Sequence, residues 1–365
     1  MNQNDSKSTS DFDAAPSSGF SRRGLLRAGG AVGMGAAAAA MLAACTSTGA
    51  ADASGTGAGN FAKTPAFKFV FVNHVTTNPF FQATQYGLQD AAALLKIPTP
   101  QWTGSETSNV AQMVSAMNTA ITANVDGIAV ALIDKTAFND PVKRAMDAGI
   151  PVVSYNADVP TNGRLNYIGQ DLYASGQAMG ERIATLLTPN DPIAIFIATP
   201  GSLNIQPRAD GAVDTLKSKG YSVQQIATGA DVGTEQTSID AFHTGNTGVK
   251  GLFAVDAGST QGVANVMKKY NLQTQGYFGG GYDLLPQTIS AIQNGVLNFT
   301  IDQSAYLQGF LPAMYLFMYK LSGTLVQPPY TDTGLKFVTK DNVGPYTREN
   351  NRFEGFSPKQ LYIKA

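Results

Sequence analysis

Short apolar runs alternate with amphipathic stretches along most of this 365-residue chain. Residues 67–72, 127–132 and 193–197 are runs of aliphatic and aromatic side chains, as buried strands are. Between the first two runs, apolar residues from Val110 to Ile121 recur at helical spacing. Units of this kind return about every 30 residues, which is typical of parallel βαβ units. The pattern therefore predicts an α/β fold built on parallel sheets.

Length and charge limit what such a chain can do. The part after residue 64 is too long for one small core and fits two domains of ordinary size. Charged residues make up 14% of the chain and the formal net charge is −1, so neither a nucleic-acid surface nor a strongly acidic partner is indicated. Cys45 is the only cysteine, so no disulfide can form within the chain.

The amino-terminal segment has the features of an export signal. Arg22 and Arg23 precede a weakly apolar stretch, which resembles the bacterial twin-arginine signal, and residues 42–45 (Leu-Ala-Ala-Cys) resemble a lipobox. We expect residues 1–44 to be cleaved and residues 45–64 to be a lipidated cysteine followed by a flexible linker. A transmembrane helix over 28–44 is the alternative, but its four glycines and about 17 residues fall short of a span. The sequence predicts an extracytoplasmic protein anchored to the cell membrane through Cys45.

Polar and aromatic side chains follow the predicted strands directly. In an open parallel sheet, ligands bind outside the carboxyl ends of the strands. Amide, carboxylate and guanidinium groups there can each pair with neighbouring hydroxyls, and an aromatic face can cover the apolar side of a sugar or polyol. The candidates at these strand ends are Asn78, Phe80, Phe81, Asn156, Asp158, Asn204, Arg208, Asp256, Asp283 and Gln303.

Several motifs, in this order, give the chain a family resemblance. It resembles the ribose-type sugar-binding proteins of bacterial ABC importers, which have the type I periplasmic-binding fold. The resemblance runs from about residue 67 to 338. It rests on the motifs Asn78-Pro79-Phe80-Phe81, Asp126-Gly127-Ile128, Ala148-Gly149-Ile150-Pro151-Val152, Arg208-Ala209-Asp210-Gly211, Phe253-Ala254-Val255-Asp256, Gly281-Tyr282-Asp283 and Thr300-Ile301-Asp302-Gln303.

The resemblance implies two doubly wound parallel-sheet lobes joined by a hinge of three chain crossings, near Asp171, Ser304 and Asp332. The amino-terminal lobe would comprise residues 65–170 plus 305–331, and the carboxyl-terminal lobe residues 171–304 plus 332–365. A ligand would lie between the lobes, which close on it. The closed form would be recognised by the ABC permease, which works with an ATPase subunit.

The family pattern also assigns ligand contacts. It implies that Asn78, Phe80 and Phe81 line the pocket from the first lobe. Arg208 and Asp256 would reach in from the second lobe, and Asp283 and Gln303 would complete the hydroxyl contacts.

One departure from the ribose pattern bears on the ligand. Where ribose binders have an Asp-Arg pair, this chain has Asn156-Ala157. Losing an arginine removes hydrogen-bond donors and side-chain volume, while Asn156 offers an acceptor and an amide donor. We therefore expect a neutral monosaccharide other than ribose, or a sugar alcohol.

Other interpretations stay open for single residues. Asp256 and Asp283 are also favourable helix N-caps. His74 follows the first strand, but a lone histidine there is more often structural, so it is not assigned to the site. Trp102 ranks below Phe80 and Phe81 as a stacking residue because it could instead seal a sheet edge.

Three functions other than transport are alternatives for a chain of this kind. Two acids in a sugar-lined cleft could indicate glycoside hydrolysis. The chain has only two histidines and no clustered metal ligands, so we expect no enzyme, no cofactor and no metal. A sugar sensor docking to a chemoreceptor or kinase would use the same closed state. A repressor of the same architecture would need a helix-turn-helix, which the amino-terminal segment does not resemble.

Overall fold

A computed structural model describes residues 65–325 and 327–347 of the chain. The predicted signal, Cys45 and the linker lie outside the described residues. The strands of the described part are β1 (Phe69–Asn73), β2 (Gln101–Gly104), β3 (Gly127–Val130), β4 (Val152–Tyr155), β5 (Asn166–Gly169), β6 (Ile193–Ile197), β7 (Val223–Ala227), β8 (Gly251–Ala254), β9 (Phe278–Tyr282), β10 (Phe299–Asp302), β11 (Tyr330–Asp332) and β12 (Lys336–Val338). Its helices are α1 (Phe81–Leu95), α2 (Val110–Thr122), α3 (Asn139–Asp147), α4 (Leu172–Ala184), α5 (Gln206–Ser218), α6 (Val232–Gly245), α7 (Ala257–Lys269), α8 (Pro286–Gln293) and α9 (Leu307–Ser322).

The strands form two six-stranded sheets. The first has the order β11-β5-β4-β3-β1-β2 and every pair in it is parallel. The second has the order β12-β10-β9-β8-β6-β7, and only its β10–β12 edge pair is antiparallel. In each sheet the first strand lies between the second and the third, which is the doubly wound arrangement. The prediction of two doubly wound parallel-sheet lobes is confirmed.

The central strands are buried along their whole length. Every residue of β1 and of β6 is buried. A strand with helices on both faces must be apolar on both faces, so its sequence shows an uninterrupted apolar run rather than alternation. This explains why residues 193–197 read Ile-Ala-Ile-Phe-Ile. Three apolar core clusters, one in the first lobe and two in the second, place the carboxyl ends of both sheets at fixed positions.

Glycines bring α4 and α5 into close contact. A Cβ atom on Gly176 of α4 would lie 2.1 Å from the backbone oxygen of Arg208, and one on Gly211 of α5 would lie 2.3 Å from that of Tyr173. Any side chain at either position would push the helices apart. This packing fixes the first turn of α5, which carries Arg208.

The chain passes between the lobes three times, after β5, after β10 and after β11. After β10 it returns to the first lobe, where α9 packs against α1 and the first sheet. The crossings are hydrogen-bonded to one another: the Thr333 hydroxyl donates to the backbone oxygen of Gln303 at 2.8 Å, and the Gln170 amide donates to that of Gly334 at 3.0 Å. These crossings form the hinge, and Gln303 belongs to both the hinge and the candidate site.

Candidate ligand-binding cleft

Arg208 is the largest polar side chain buried between the lobes. It lies in the first turn of α5 and is only 2% exposed. Its Nη1 donates to the backbone oxygen of Val255 at 3.2 Å and its Nη2 to Oε1 of Gln303 at 2.7 Å. The guanidinium also lies over the Tyr282 ring, 4.3 Å from the centroid. These contacts hold the guanidinium at the carboxyl ends of β8 and β9, while Nε has no partner.

Asp283 lies beside Arg208 at the end of β9. Its backbone φ is +74°, a left-handed conformation that Asp tolerates better than most residues and that turns the chain sharply out of the strand. The Nε2 of Gln303 donates to Asp283 Oδ1 at 2.7 Å. Burial raises the pKa of Asp283 to about 7, and Arg208 and Gln303 oppose this shift. Near neutral pH the carboxyl group can therefore donate or accept hydrogen bonds.

A chain of amides connects this wall to the first lobe. Gln308, in the first turn of α9, donates from Nε2 to Oε1 of Gln303 at 3.0 Å. Asn156 donates from Nδ2 to Oε1 of Gln308 at 3.1 Å. Asn156 follows β4 with φ of +64°, and its buried Oδ1 has no partner. The path from Asn156 to Arg208 thus runs through the hinge, by way of two glutamines.

Aromatic rings gather at the end of β1. The Oδ1 of Asn78 accepts a hydrogen bond from the backbone N–H of Phe80 at 2.9 Å, which shapes the turn into α1. The rings of Phe80 and Phe81 are 4.7 Å apart, and Phe81 also packs edge-on against His74 at 5.2 Å and against Trp102 at 5.7 Å. Both phenylalanines are buried. Phe80 and Phe81 thus belong to the apolar core of the first lobe, and a ligand contact for them stays a prediction.

Asp256 occupies a capping position. Its Oδ1 accepts a hydrogen bond from the backbone N–H of Ser259 at 2.8 Å, and its Oδ2 accepts one from Ala198 at 3.0 Å. Burial and the neighbouring Asp256 carboxylate raise the pKa of Glu235, which favours its neutral form. Asp256 thereby fixes α7 and the loop after β6, as expected for an N-cap. A ligand contact for it stays a prediction.

Within the described residues, the buried side-chain atoms without a protein hydrogen-bond partner include Oδ1 of Asn156, Nε of Arg208 and Nδ1 of His74. A buried polar group without a partner costs about 1–3 kcal/mol. A small molecule with both hydroxyl donors and oxygen acceptors would satisfy these atoms. The arrangement suits recognition of a neutral polyhydroxylated compound.

Comparison with known proteins decides the family. The sequence model of the periplasmic binding protein domain matches residues 69–324. The chain belongs to the periplasmic binding protein family. The family resemblance found in the sequence is therefore confirmed, and membership implies a location outside the cytoplasmic membrane.

Relatives of this periplasmic binding protein include sugar binders. The xylose/arabinose-binding protein XylF of Sulfolobus acidocaldarius is 50% identical over 307 residues, 80% of this chain and 76% of that protein. A solute-binding protein of an ABC transporter from Burkholderia graminis, solved with D-arabinose, is 25% identical with a TM-score of 0.72, covering 79% of this chain and all of that one. A carbohydrate transporter from Acidothermus cellulolyticus, solved with myo-inositol, is 25% identical with a TM-score of 0.68, covering 76% and 96%.

The sequence predicted most, but not all, of the residues that hydrogen bonds connect in the candidate site of this binding protein. Hydrogen bonds connect Arg208, Asp283, Gln303 and Asn156. Gln308, which is hydrogen-bonded to both Gln303 and Asn156, was not predicted. Its position five residues after Gln303, at the start of an apolar helix, is the one signal that could have indicated an inward-facing amide.

Across residues 65–325 and 327–347, no helix is long and apolar enough to cross a membrane.

Proposed function

We propose that this protein is the sugar-binding component of an ABC importer, and that its ligand is an aldopentose of the xylose or arabinose type. The observation that carries the proposal is the buried, hydrogen-bonded set of Arg208, Gln303 and Asp283 at the carboxyl ends of β8, β9 and β10. The similarity to XylF, extending over most of both chains, supports the choice of an aldopentose.

This set of side chains can recognise hydroxyls without doing bond chemistry. Asp283 and Oδ1 of Asn156 accept from sugar O–H groups, and Nε of Arg208 donates to a sugar oxygen. The Phe80 and Phe81 cluster covers the C–H face of the ring. The departure at Asn156-Ala157 fits a pentose other than ribose, because an arginine that ribose binders use is missing.

A thermal-shift screen of residues 46–365 tests this proposal. The panel contains D-xylose, L-arabinose, D-arabinose, D-ribose, D-galactose, myo-inositol and amino-acid controls. A ligand at a hundredfold excess over its dissociation constant stabilises the folded state by about 2.7 kcal/mol, which raises the melting temperature visibly. We expect the largest shift from xylose or arabinose. A shift with amino acids alone, or with no compound, would contradict a sugar function, and a shift with inositol alone would contradict the pentose.

Membrane attachment through Cys45 is the second part of the proposal. Two acyl chains on one cysteine are enough for stable anchoring. We expect the full-length protein to be in the membrane fraction and Cys45→Ser to be released, while Ser47→Ala, two residues away, stays bound. Equal release of both variants would argue against lipidation. Replacing Arg22 and Arg23 by lysine should block export if the twin-arginine signal is used.

The absence of catalysis is tested separately. Two other carboxyl groups act on Asp283, those of Asp256 and Asp302. Asp256 accepts hydrogen bonds from backbone N–H groups, and Asp302 accepts from the Ser304 N–H and the Tyr346 hydroxyl, so both already have partners. We expect no hydrolysis of a panel of nitrophenyl glycosides. Hydrolysis that Asp283→Asn abolishes would show an enzyme instead.

A further inference from the structure

The loop after β6 reaches across the cleft to the first lobe. The backbone N–H of Leu203 donates to the backbone oxygen of Ile133 at 3.0 Å, just beyond the end of β3. The Leu203 side chain packs against the apolar core of the first lobe. Next to it, Nδ2 of Asn204 lies 3.0 Å from Nε2 of His74, with both side chains at least nine-tenths buried. Residues 202–204 therefore contact the first lobe directly.

The neighbouring serine sets the direction of the side-chain bond. The hydroxyl of Ser202 donates to Oδ1 of Asn204 at 2.5 Å, so the amide NH₂ of Asn204 faces the imidazole. An amide nitrogen only donates, and Nε2 of His74 must therefore accept. The ring is then neutral, with its single proton on Nδ1.

We propose that His74 and Asn204 are positioning residues that form a closure latch, a hydrogen bond that holds the two lobes together around the ligand only while the imidazole is neutral. The latch rests on the proposed function, because it raises ligand affinity by stabilising the closed form. Its partners lie on different lobes and 130 residues apart, so opening the cleft must break it.

Burial explains why the latch excludes a charged ring. The imidazole packs against the Phe81 ring on α1 and contacts the Asn204 amide, neither of which titrates, and burial is the only cause that shifts its pKa. Burial alone lowers the pKa of His74 to about 4. In the open form the ring regains water and an ordinary pKa of about 6.5. A proton therefore favours the open form.

The sign of the pH effect follows from this difference. Above about pH 7 the ring is neutral in both forms and affinity is at its full value. Between about pH 6.5 and 4 closing must release a proton, so affinity falls by up to about tenfold per pH unit. Below about pH 4 the loss levels off, at roughly 300-fold in total.

The test is titration calorimetry with D-xylose from about pH 4 to about pH 8. Asp283 also titrates in the cleft, and its effect is present in the wild type and in His74→Gln alike. The measured quantity is therefore the ratio of the wild-type affinity to the affinity of His74→Gln. The glutamine keeps a hydrogen-bond acceptor but cannot take up a proton. We expect the ratio to fall below about pH 6.5. Asn204→Asp, which offers a carboxylate to a charged ring, should reverse the trend. Parallel pH profiles for the wild type and His74→Gln would overturn the latch.

Small-angle scattering separates the latch from the choice of sugar. We expect Asn204→Ala to have a larger radius of gyration than the wild type above pH 7, whether or not D-xylose binds. Asn265→Ala, which loses an amide contact on α7 of the same lobe, should match the wild type. If the wild type gives no heat with either D-xylose or L-arabinose, the pentose proposal fails and the latch is then tested by scattering alone. Equal radii for Asn204→Ala and the wild type would then overturn it.

Discussion

Nη2 of Arg208 donates to Oε1 of Gln303 at 2.7 Å, and this bond ties a helix of the second lobe to a crossing of the hinge. The same glutamine holds Asp283 with its other end. One side chain of the hinge therefore contacts both Arg208 and Asp283, the two charged groups of the candidate site.

Arg208→Lys should weaken sugar binding and leave the fold intact. An ammonium group cannot donate to both Val255 and Gln303 in the planar geometry of the guanidinium. We expect a loss of about 1–3 kcal/mol in binding free energy, roughly 5- to 150-fold in affinity, measured by calorimetry. Arg144→Lys, on an exposed ion pair of α3, is the control and should bind like the wild type. Unchanged binding in Arg208→Lys would remove the guanidinium from the site.

Asp283→Asn should change how stability depends on pH. Because burial raises the pKa of Asp283 to about 7, the folded state binds its proton more tightly than the unfolded state does. The stability that this proton contributes is fully present below about pH 4 and is lost as pH rises through 7. We therefore expect the free energy of unfolding of the wild type, relative to Asp283→Asn, to decrease over this range. A constant difference in urea unfolding would show that Asp283 has an ordinary pKa.

Gln308→Leu should break the amide path through the hinge. The change removes the acceptor of Asn156 and a donor to Gln303, leaving buried groups without partners. We expect a loss of about 1–3 kcal/mol in the free energy of unfolding. Gln177→Leu, at an exposed position of α4, is the matched control and should stay within about 0.5 kcal/mol of the wild type. Equal stability of the two variants would mean that the path contributes nothing.

Gly176→Ala should displace Arg208 without touching the ligand. The new methyl group would lie 2.1 Å from the backbone oxygen of Arg208, so α5 must shift away from α4. Overpacking of this kind costs about 1–3 kcal/mol of stability, and we expect sugar affinity to fall as well. Gly245→Ala, at the end of α6, meets nothing within 4 Å and should retain both properties. Full affinity in Gly176→Ala would show that the position of α5 is not critical.

The sequence predicted the parts of the fold that burial dictates. β6 coincides with the predicted run at 193–197, because a strand buried on both faces must be apolar throughout. β7 was not predicted, since it is a half-exposed edge strand whose central residues are Gln224 and Gln225. Short edge strands such as β11 and β12 depend on tertiary pairing, which local composition does not show.

The residues of the candidate site also fall into those that the sequence could indicate and those that it could not. Arg208, Asp283 and Gln303 could be named as candidates because they follow strands at the carboxyl edge of a parallel sheet; their contact with a ligand stays a prediction. The bond between His74 and Asn204 could not be predicted, because it depends on how two lobes meet. Gln308 lies in a helix whose other inward side chains are mainly apolar or small, so periodicity suggested only core packing.

The central claim is tested most directly by calorimetric titration of D-xylose and L-arabinose into residues 46–365. The same titrations are carried out with the Asp283→Asn and Arg208→Lys variants. The account predicts one sugar bound per protein molecule with at least one of these pentoses, and markedly weaker binding in both variants. Absence of binding to either pentose, or equal affinity in the wild type and both variants, would contradict it.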